Sequence, residues 1–372
     1  MGARARRGAA GGGEKVGRAT RDSLLAWYRA ERRDLPWRRT RDPYAIWISE
    51  TMLQQTRVEA VVPYYERFLA RFPTVGALAT ADLDDVLSLW AGLGYYSRAR
   101  NLKRAAEQVV ADHDGRLPDE AEALQTLPGI GRYTAGAIAS IAFERPAPIV
   151  DGNVARVLAR LLGLRDPIES VPVKARLWQE AERLAQGEAP GDLNQALMEL
   201  GARVCIPGAP RCDACPVSQR CDARAAGDAA ALPVRTPKRA PKRVDAVAAL
   251  VLRGGKALAV QRPAHGLLGG LWELPGGEVE PSRRGSASLA AVIRARTGLE
   301  VAAIRPLGEV DHLFTHRTLR MRVFRCDAAR GRVRLDGWQR HRWISPHAFD
   351  AIPCGNVTKK ALALALGAGG SR

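Results

Sequence analysis

The stretch Arg224–Asp245 constrains this chain more than any other. Pro233, Pro237 and Pro241 alternate there with Arg235, Lys238, Arg239, Lys242 and Arg243. Each proline removes a backbone donor and clashes with the turn before it, so no regular helix crosses the stretch. The 372 residues therefore divide into two folding regions, in keeping with roughly 100–200 residues per domain. Before the stretch, apolar residues recur at helical spacing. Asp42-Pro43 reads as an N-cap and a first-turn proline that open a helix through Tyr44, Ile46, Trp47, Ile48, Met52 and Leu53. Val154, Val157, Leu158, Leu161 and Leu162 give another apolar helical face. After the stretch, Val247–Leu252 and Ala257–Val260 flank Arg253-Gly254-Gly255-Lys256 as a hairpin, and helix returns around Ser286–Arg296 and Asn356–Leu366. The expected architecture is multidomain, an all-α region followed by an α+β region.

Lysine and arginine number 57 against 39 acidic residues, a net charge of +18. Such an excess repels itself in a compact fold and favours a polyanionic partner, most often nucleic acid. An arginine-rich codon bias would spread the excess evenly. Instead, residues 1–21, Arg224–Asp245 and Arg305–Arg342 together hold +15 of it. Residues 1–21 carry six basic residues and one acid with little to bury, which reads as a disordered basic tail and a poor amphipathic transit helix. No run of about 18 apolar residues occurs, so no membrane-spanning helix is expected. With no secretory apolar segment after the start, the expected location is cytoplasmic, at the nucleoid.

Four of the six cysteines fall within seventeen residues, as Cys205-x6-Cys212-x2-Cys215-x5-Cys221. A disulfide framework does not suit a chain of this size and expected location. Zinc usually takes two Cys-x-x-Cys knuckles and only one is present. The uneven spacing favours an iron–sulfur cluster, each cysteine ligating a different corner. Arg211 closes the loop between the first two ligands, as a phosphate contact or a solvated surface cation. Cys326 and Cys354 stand alone and read as packing thiols.

Leu127-Pro128-Gly129-Ile130-Gly131-Arg132-Tyr133-Thr134-Ala135 joins two helices. Gly129 and Gly131 allow a sharp turn, and the following helix opens with free N–H groups that suit a DNA phosphate without reading sequence. An ordinary helix–helix turn has the same pattern. Glu50 is the only charge between Asp42 and Arg57. On the apolar face of its helix it would be desolvated and its pKa raised, which suits a proton donor near neutral pH; on the polar face it would be an exposed glutamate. Asp151, just ahead of a helix, reads alone as an N-cap. Paired with Glu50 it suggests one acid to protonate a leaving group and one anion to stabilise an oxocarbenium-like sugar, the logic of glycosidic bond cleavage.

Leu35-Pro36-Trp37-Arg38, the run Trp47–Thr56, Gly92-Leu93-Gly94-Tyr95-Tyr96-Ser97-Arg98, the Leu127–Ala135 turn, Val150-Asp151-Gly152-Asn153-Val154 and the four-cysteine loop follow in order from about residue 22 to 222. Together they resemble a MutY-type adenine DNA glycosylase of the helix-hairpin-helix superfamily. The resemblance implies removal of adenine opposite 8-oxoguanine or guanine in double-stranded DNA, by base flipping, by a chain acting as a monomer. It implies a 4Fe–4S cluster on the four cysteines. Glu50 matches the general acid and Asp151 the carboxylate that stabilises the sugar cation. Tyr133 and Asn153 match residues that hydrogen-bond around them. Leu35, Trp37, Arg38 and Val58 match positions lining the adenine pocket. Gln55 and Tyr95 match residues that wedge into the stack, and Thr56 and Leu93 positions near 8-oxoguanine. In lyases resembling endonuclease III a lysine stands where this chain has Tyr133. Arg132 stays protonated and cannot replace it, so a monofunctional glycosylase is expected.

The resemblance also sets the expected boundaries: a tail at 1–21, a helix-hairpin-helix domain at 22–223 with the cluster loop at 205–221, a linker at 224–244 and a Nudix-like domain at 245–368. Leu271-Trp272-Glu273-Leu274-Pro275-Gly276-Gly277-Glu278 resembles the start of a Nudix box. The later helix of a working box carries several glutamates for divalent cations, whereas Leu289–Gly298 carries no acid. The domain is therefore expected to bind and not to hydrolyse, against the rival reading of a nucleotide pyrophosphohydrolase. Phe314-Thr315-His316 resembles a Phe-Ser-His loop that contacts 8-oxoguanine, with Thr315 adding a β-methyl. A non-enzymatic iron–sulfur DNA-binding regulator is a third reading, opposed by the presence of both Glu50 and Asp151.

Overall fold

The structure is a computed structural model that describes residues 16–237, 240–314 and 316–367. Its helices are, in chain order, α1 (Arg18–Glu31), α2 (Pro43–Leu53), α3 (Val58–Arg71), α4 (Val75–Thr80), α5 (Leu83–Trp90), α6 (Ser97–Asp112), α7 (Ala121–Leu124), α8 (Arg132–Phe143), α9 (Gly152–Leu161), α10 (Val171–Ala185), α11 (Pro190–Arg203), α12 (Asp222–Ala225), α13 (Ser286–Thr297) and α14 (Asn356–Ala365). The strands are β1 (Lys242–Arg253), β2 (Lys256–Gln261), β3 (Trp272–Glu273), β4 (Gly276–Val279), β5 (Glu300–Leu313), β6 (Arg317–Arg330) and β7 (Arg340–Ile344). The chain forms two compact units, one of residues up to 79 together with 104–237, the other of 80–103 together with 238 onward.

The first unit is helical. Asp42 caps α2 by accepting from Tyr44 N at 3.1 Å, and Pro43 takes the first helical position. Almost every residue of α2 is buried, Glu50 included. α11 lies against α8 and α9 at close range. A Cβ on Gly191 would lie 2.5 Å from the Ser140 carbonyl oxygen, and one on Gly201 would lie 2.6 Å from Asn153 Cβ. Asn194 Nδ2 bridges the Ser140 hydroxyl and the Ala147 carbonyl at 2.8 Å each, so this amide is satisfied inside the packed helices. Residues 18–21, grouped by composition with the basic tail, instead open α1. Val16, Thr20, Leu24, Leu25 and Tyr28 are buried, an apolar stripe that fixes the helix start ahead of residue 22. The connector departs from a free linker in the same way. Ala223, Ala229 and Leu232 form a small apolar cluster against Cys212 and Cys221, and β1 already begins at Lys242.

The second unit holds a seven-stranded mixed sheet, ordered β3-β2-β1-β6-β5, with β4 also pairing with β1 and β7 with β2. The β1–β2 hairpin turns at Gly254 and Gly255, both at positive φ, which glycine adopts without strain. β1 runs parallel to β6, Val247 opposite Arg322 and Val251 opposite Cys326. Its alternate residues pack to opposite sides. Ala246, Ala248 and Leu250 meet Val357, Ala361 and Leu362 of α14, while Val247, Ala249 and Val251 meet Leu289 and Ile293 of α13. Burial on both faces explains why β1 reads as an unbroken apolar run. Cys326 and Cys354 are both buried in these cores. Residues 80–103 join this unit through buried Leu87, Trp90 and Tyr96. Arg100 Nη1 donates to the Gly269 carbonyl at 2.5 Å, and Gln261 Nε2 donates to Asp84 Oδ1 at 3.4 Å.

Candidate active site

A cavity of about 440 Å³ in the first unit gathers residues from five helices, α2, α3, α8, α9 and α11, and from the adjoining segments 33–38 and 54–56. Glu50 comes from the middle of α2, Tyr133 from the first turn of α8, Asp151 and Asn153 from the start of α9, and Met198 and Glu199 from α11. Leu35, Trp37, Arg38, Gln55, Thr56 and Val58 line it as well. Ten of the residues singled out from sequence thus share one cavity.

Glu50 is 4 % exposed. The Tyr133 hydroxyl donates to its Oε2 at 2.7 Å and lies 3.1 Å from Met198 Sδ. Burial, which penalises the anion, pushes Glu50 up to about 7; the nearby Asp151 adds to the rise, while the Tyr133 hydrogen bond and Arg38 oppose it. Burial also lifts Asp151, but four groups oppose it. Its Oδ1 accepts from Asn153 N at 2.9 Å and Val154 N at 2.7 Å, its Oδ2 accepts from Asn153 Nδ2 at 3.1 Å, and the Arg156 cation stands nearby. Asp151 is therefore both the N-cap of α9 and a wall of the cavity. Two carboxylates share one site in environments of different kind: one is dry with a single donor, the other is held by three donors. Such an arrangement separates an acid from an anion.

Glu199 also lines the cavity and is not among the residues expected from sequence. Its side chain is fully buried. Arg33 grips both of its oxygens at 2.8 Å, and Arg38 Nη2 adds a further bond at 2.8 Å. Burial alone would raise its pKa, yet these guanidinium groups bring it down to about 2. Glu199 thus fixes Arg38 against the cavity as a permanent anion. No sequence signal marks it: Asp34, next to Arg33, is the nearer acid to these arginines, and it pairs with Arg39 instead.

The four cysteines line a second cavity with Arg160 and Arg211. Among the described residues no group of three or more His, Cys, Asp or Glu is arranged around a single ion. Four thiols around one space suit a group that takes a separate sulfur at each corner. Arg160 is buried and donates to the Leu232, Cys205 and Ile206 carbonyls at 2.9, 3.2 and 2.8 Å, with Cys205 Sγ at 3.3 Å. Arg156 reaches the Cys205 carbonyl at 2.8 Å, the Gly201 carbonyl at 2.7 Å and Asn153 Oδ1 at 2.8 Å. Arg211 is exposed, as are Gly129 and Gly131 at the hairpin, where Gly129 turns at φ +80°. Leu93 and Tyr95 belong to the second unit, and Thr315 lies outside the described residues.

Residues 48–183 match the family described as HhH-GPD superfamily base excision DNA repair protein, and residues 246–364 match the NUDIX domain. Adenine DNA glycosylase of Homo sapiens is 42% identical over 362 residues, 82% of this chain and 66% of that protein. The corresponding Rattus norvegicus protein is 42% identical over 361 residues, again 82% of this chain and 70% of its own length. The chain thus spans about two thirds of the length of these relatives. Among solved structures, a thermostable thymine-DNA glycosylase superposes with a TM-score of 0.52 at 31% identity, over 57% of this chain and 98% of its own. The chain belongs to the adenine DNA glycosylase family, enzymes of base-excision DNA repair.

Proposed function

We propose that the chain hydrolyses the N-glycosidic bond of adenine in double-stranded DNA where that adenine is mispaired with 8-oxoguanine or guanine. The observation that carries the reading is the Glu50–Tyr133 pair in one cavity with Asp151. Adenine is a poor leaving group until its ring is protonated. A carboxyl with a pKa of about 7 holds that proton at neutral pH and can give it up. As the bond lengthens, positive charge develops on the sugar. Asp151, whose carboxylate accepts from Asn153 and Val154 and lies near Arg156, all opposing the rise that burial gives its pKa, stabilises it. Glu50, having lost its proton, then draws one from the attacking water. General acid catalysis contributes on the order of 10²–10⁴-fold, so the field of Asp151 supplies much of the remainder.

Tyr133 stands where a lyase would hold a nucleophilic amine, and a phenol cannot form a Schiff base with the sugar. The chain is accordingly read as monofunctional. Cys205, Cys212, Cys215 and Cys221 would hold a 4Fe–4S cluster, whose bonds cross-link a loop with little core of its own. Gly129, Gly131 and Arg211 would meet DNA phosphates, Gln55 and Tyr95 would fill the stack left by the extruded base, and Thr56, Leu93 and Thr315 would lie near the opposite base. α13, lacking acids, supports binding rather than hydrolysis by the second unit. The protein would act as a monomer in the cytoplasm.

The test is base release from duplexes with adenine opposite 8-oxoguanine, guanine or thymine, followed by alkali. Release confined to the two mispairs, with strand breaks only after alkali, is the expected result. Breaks without alkali overturn the monofunctional reading, and equal release opposite thymine overturns the mispair requirement. Glu50→Gln should stop release while leaving duplex binding intact.

A further inference from the structure

The turn between α5 and α6 has three positive-φ residues within residues 92–95, of which only the tyrosine is strained. Gly92 lies at φ +118°, Gly94 at +73° and Tyr95 at +48°. A left-handed tyrosine is uncommon, and it persists only where its surroundings over-determine it. Those surroundings are on three sides. Trp90, fully buried, donates its indole N–H to the Gly94 carbonyl at 3.1 Å. Arg98 Nη2 reaches the Leu93 and Gly94 carbonyls at 3.3 and 3.1 Å, with its guanidinium 5.5 Å from the Tyr95 ring centroid. The third tie comes from far along the chain. The Tyr96 hydroxyl accepts from Gly92 N at 3.4 Å and donates to the Cys354 carbonyl at 3.3 Å. Cys354 is itself fixed, bridged to Trp272 of β3 and 1 % exposed. Next to this buried anchorage, Tyr95 is 43 % exposed.

We infer that Tyr96 is a positioning residue: through its hydroxyl, the Cys354 segment of the C-terminal sequence sets the turn that presents Tyr95. The inference rests on the reading of Tyr95 as a wedge into the duplex. A protruding side chain on a strained turn is useful only if it is aimed before DNA arrives, because ordering it on binding would cost affinity. The C-terminal residues would then contribute to mispair recognition by aiming a turn encoded some 250 residues earlier, besides any contact of their own with DNA. Glu50 and Asp151 belong to the other unit, so the chemical step is expected to be independent of this tie.

The test uses the full chain and a duplex carrying hydrolysis-resistant 2′-fluoro-deoxyadenosine opposite 8-oxoguanine. Loss of one relay hydroxyl in Tyr96→Phe should weaken mispair binding on the order of fivefold, while affinity for fully paired duplex and the saturated single-turnover rate on the unmodified mispair stay within about twofold. Trp90→Phe removes a different tie to the same turn and should give the same pattern, so a folding defect in one variant leaves the other to decide. Tyr95→Ala tests the wedge reading separately. If Tyr95→Ala weakens mispair binding and the two tie variants do not, the positioning role is wrong. If Tyr95→Ala binds as the parent does, the wedge reading itself fails. An equal loss on paired duplex in Tyr96→Phe also overturns the proposal, since that is what a general loss of structure gives.

Discussion

The Tyr133 hydroxyl donates to Glu50 Oε2 across 2.7 Å, joining the first turn of α8 to the middle of α2 inside a cavity that Asp151 also lines. This bond is one of two influences that restrain the burial-driven rise of the Glu50 pKa to about 7. Tyr133→Phe removes it and should raise that pKa further. For a group that acts as an acid, the alkaline limb of the single-turnover rate profile should move to higher pH. An unmoved limb would mean that another group titrates there.

Glu50 also makes stability depend on pH. Its folded pKa lies above the ordinary value of 4.5. Its contribution is therefore fully present below about pH 4.5 and is lost as the pH rises through about 7. Glu50→Gln removes that penalty. The variant should be more stable than the parent at pH 8, by on the order of 2–3 kcal/mol, and little different at pH 4.5. Urea unfolding at the two pH values measures this. A gain of equal size at both would point to packing rather than charge.

Glu199 works in the opposite sense. Held at about 2 by Arg33 and Arg38 against the effect of its burial, it stabilises the fold above pH 4.5, and the benefit is lost as the pH falls towards 2. Glu199→Ala leaves Arg38 without its anion at the cavity wall, and should cost about 3–5 kcal/mol at pH 7. Thermal melts should show the difference between variant and parent shrinking steadily from about pH 4.5 down to about pH 2.

Arg156 ties Asn153 Oδ1 to the Gly201 and Cys205 carbonyls. Arg156→Gln should destabilise the protein by about 1.5–3 kcal/mol, the scale of lost charged hydrogen bonds. It should also slow adenine release at saturating enzyme, because Asn153 then orients Asp151 less firmly. Denaturant titration and single-turnover kinetics on the same preparation separate the two effects.

Gly136 faces the irregular segment that leads to Asp151. A Cβ there would lie 2.2 Å from the Pro148 carbonyl oxygen, a backbone atom with no freedom to rotate away. Gly136→Ala should therefore cost about 3 kcal/mol or more, the upper range for overpacking. Calorimetry of the variant checks this.

The site is most legible in the sequence where local chemistry is concentrated. The Asp42-Pro43 cap, the apolar run around Glu50, the Gly129–Gly131 turn and the Val150–Val154 motif each mark a short element, and the fold brings them together. Glu199 was illegible for the opposite reason. It lies in an ordinary amphipathic helix, and only the three-dimensional approach of Arg33 and Arg38 gives it meaning. The association of residues 80–103 with the C-terminal sequence was hidden likewise, because helical periodicity reports which face is apolar and not what covers it. The start of α1 was masked by composition. Its arginines resemble those of the tail, and the burial of Val16 and Thr20 depends on partners elsewhere.

Asp151 closes α9 with one carboxylate oxygen while its charge faces the cavity. That double duty narrows what substitution can teach, and what drift can reach, at this position. Asparagine keeps the cap and loses the charge; glutamate keeps the charge and misplaces the cap. The residue is thus held by two independent requirements, and each replacement that meets one of them fails the other.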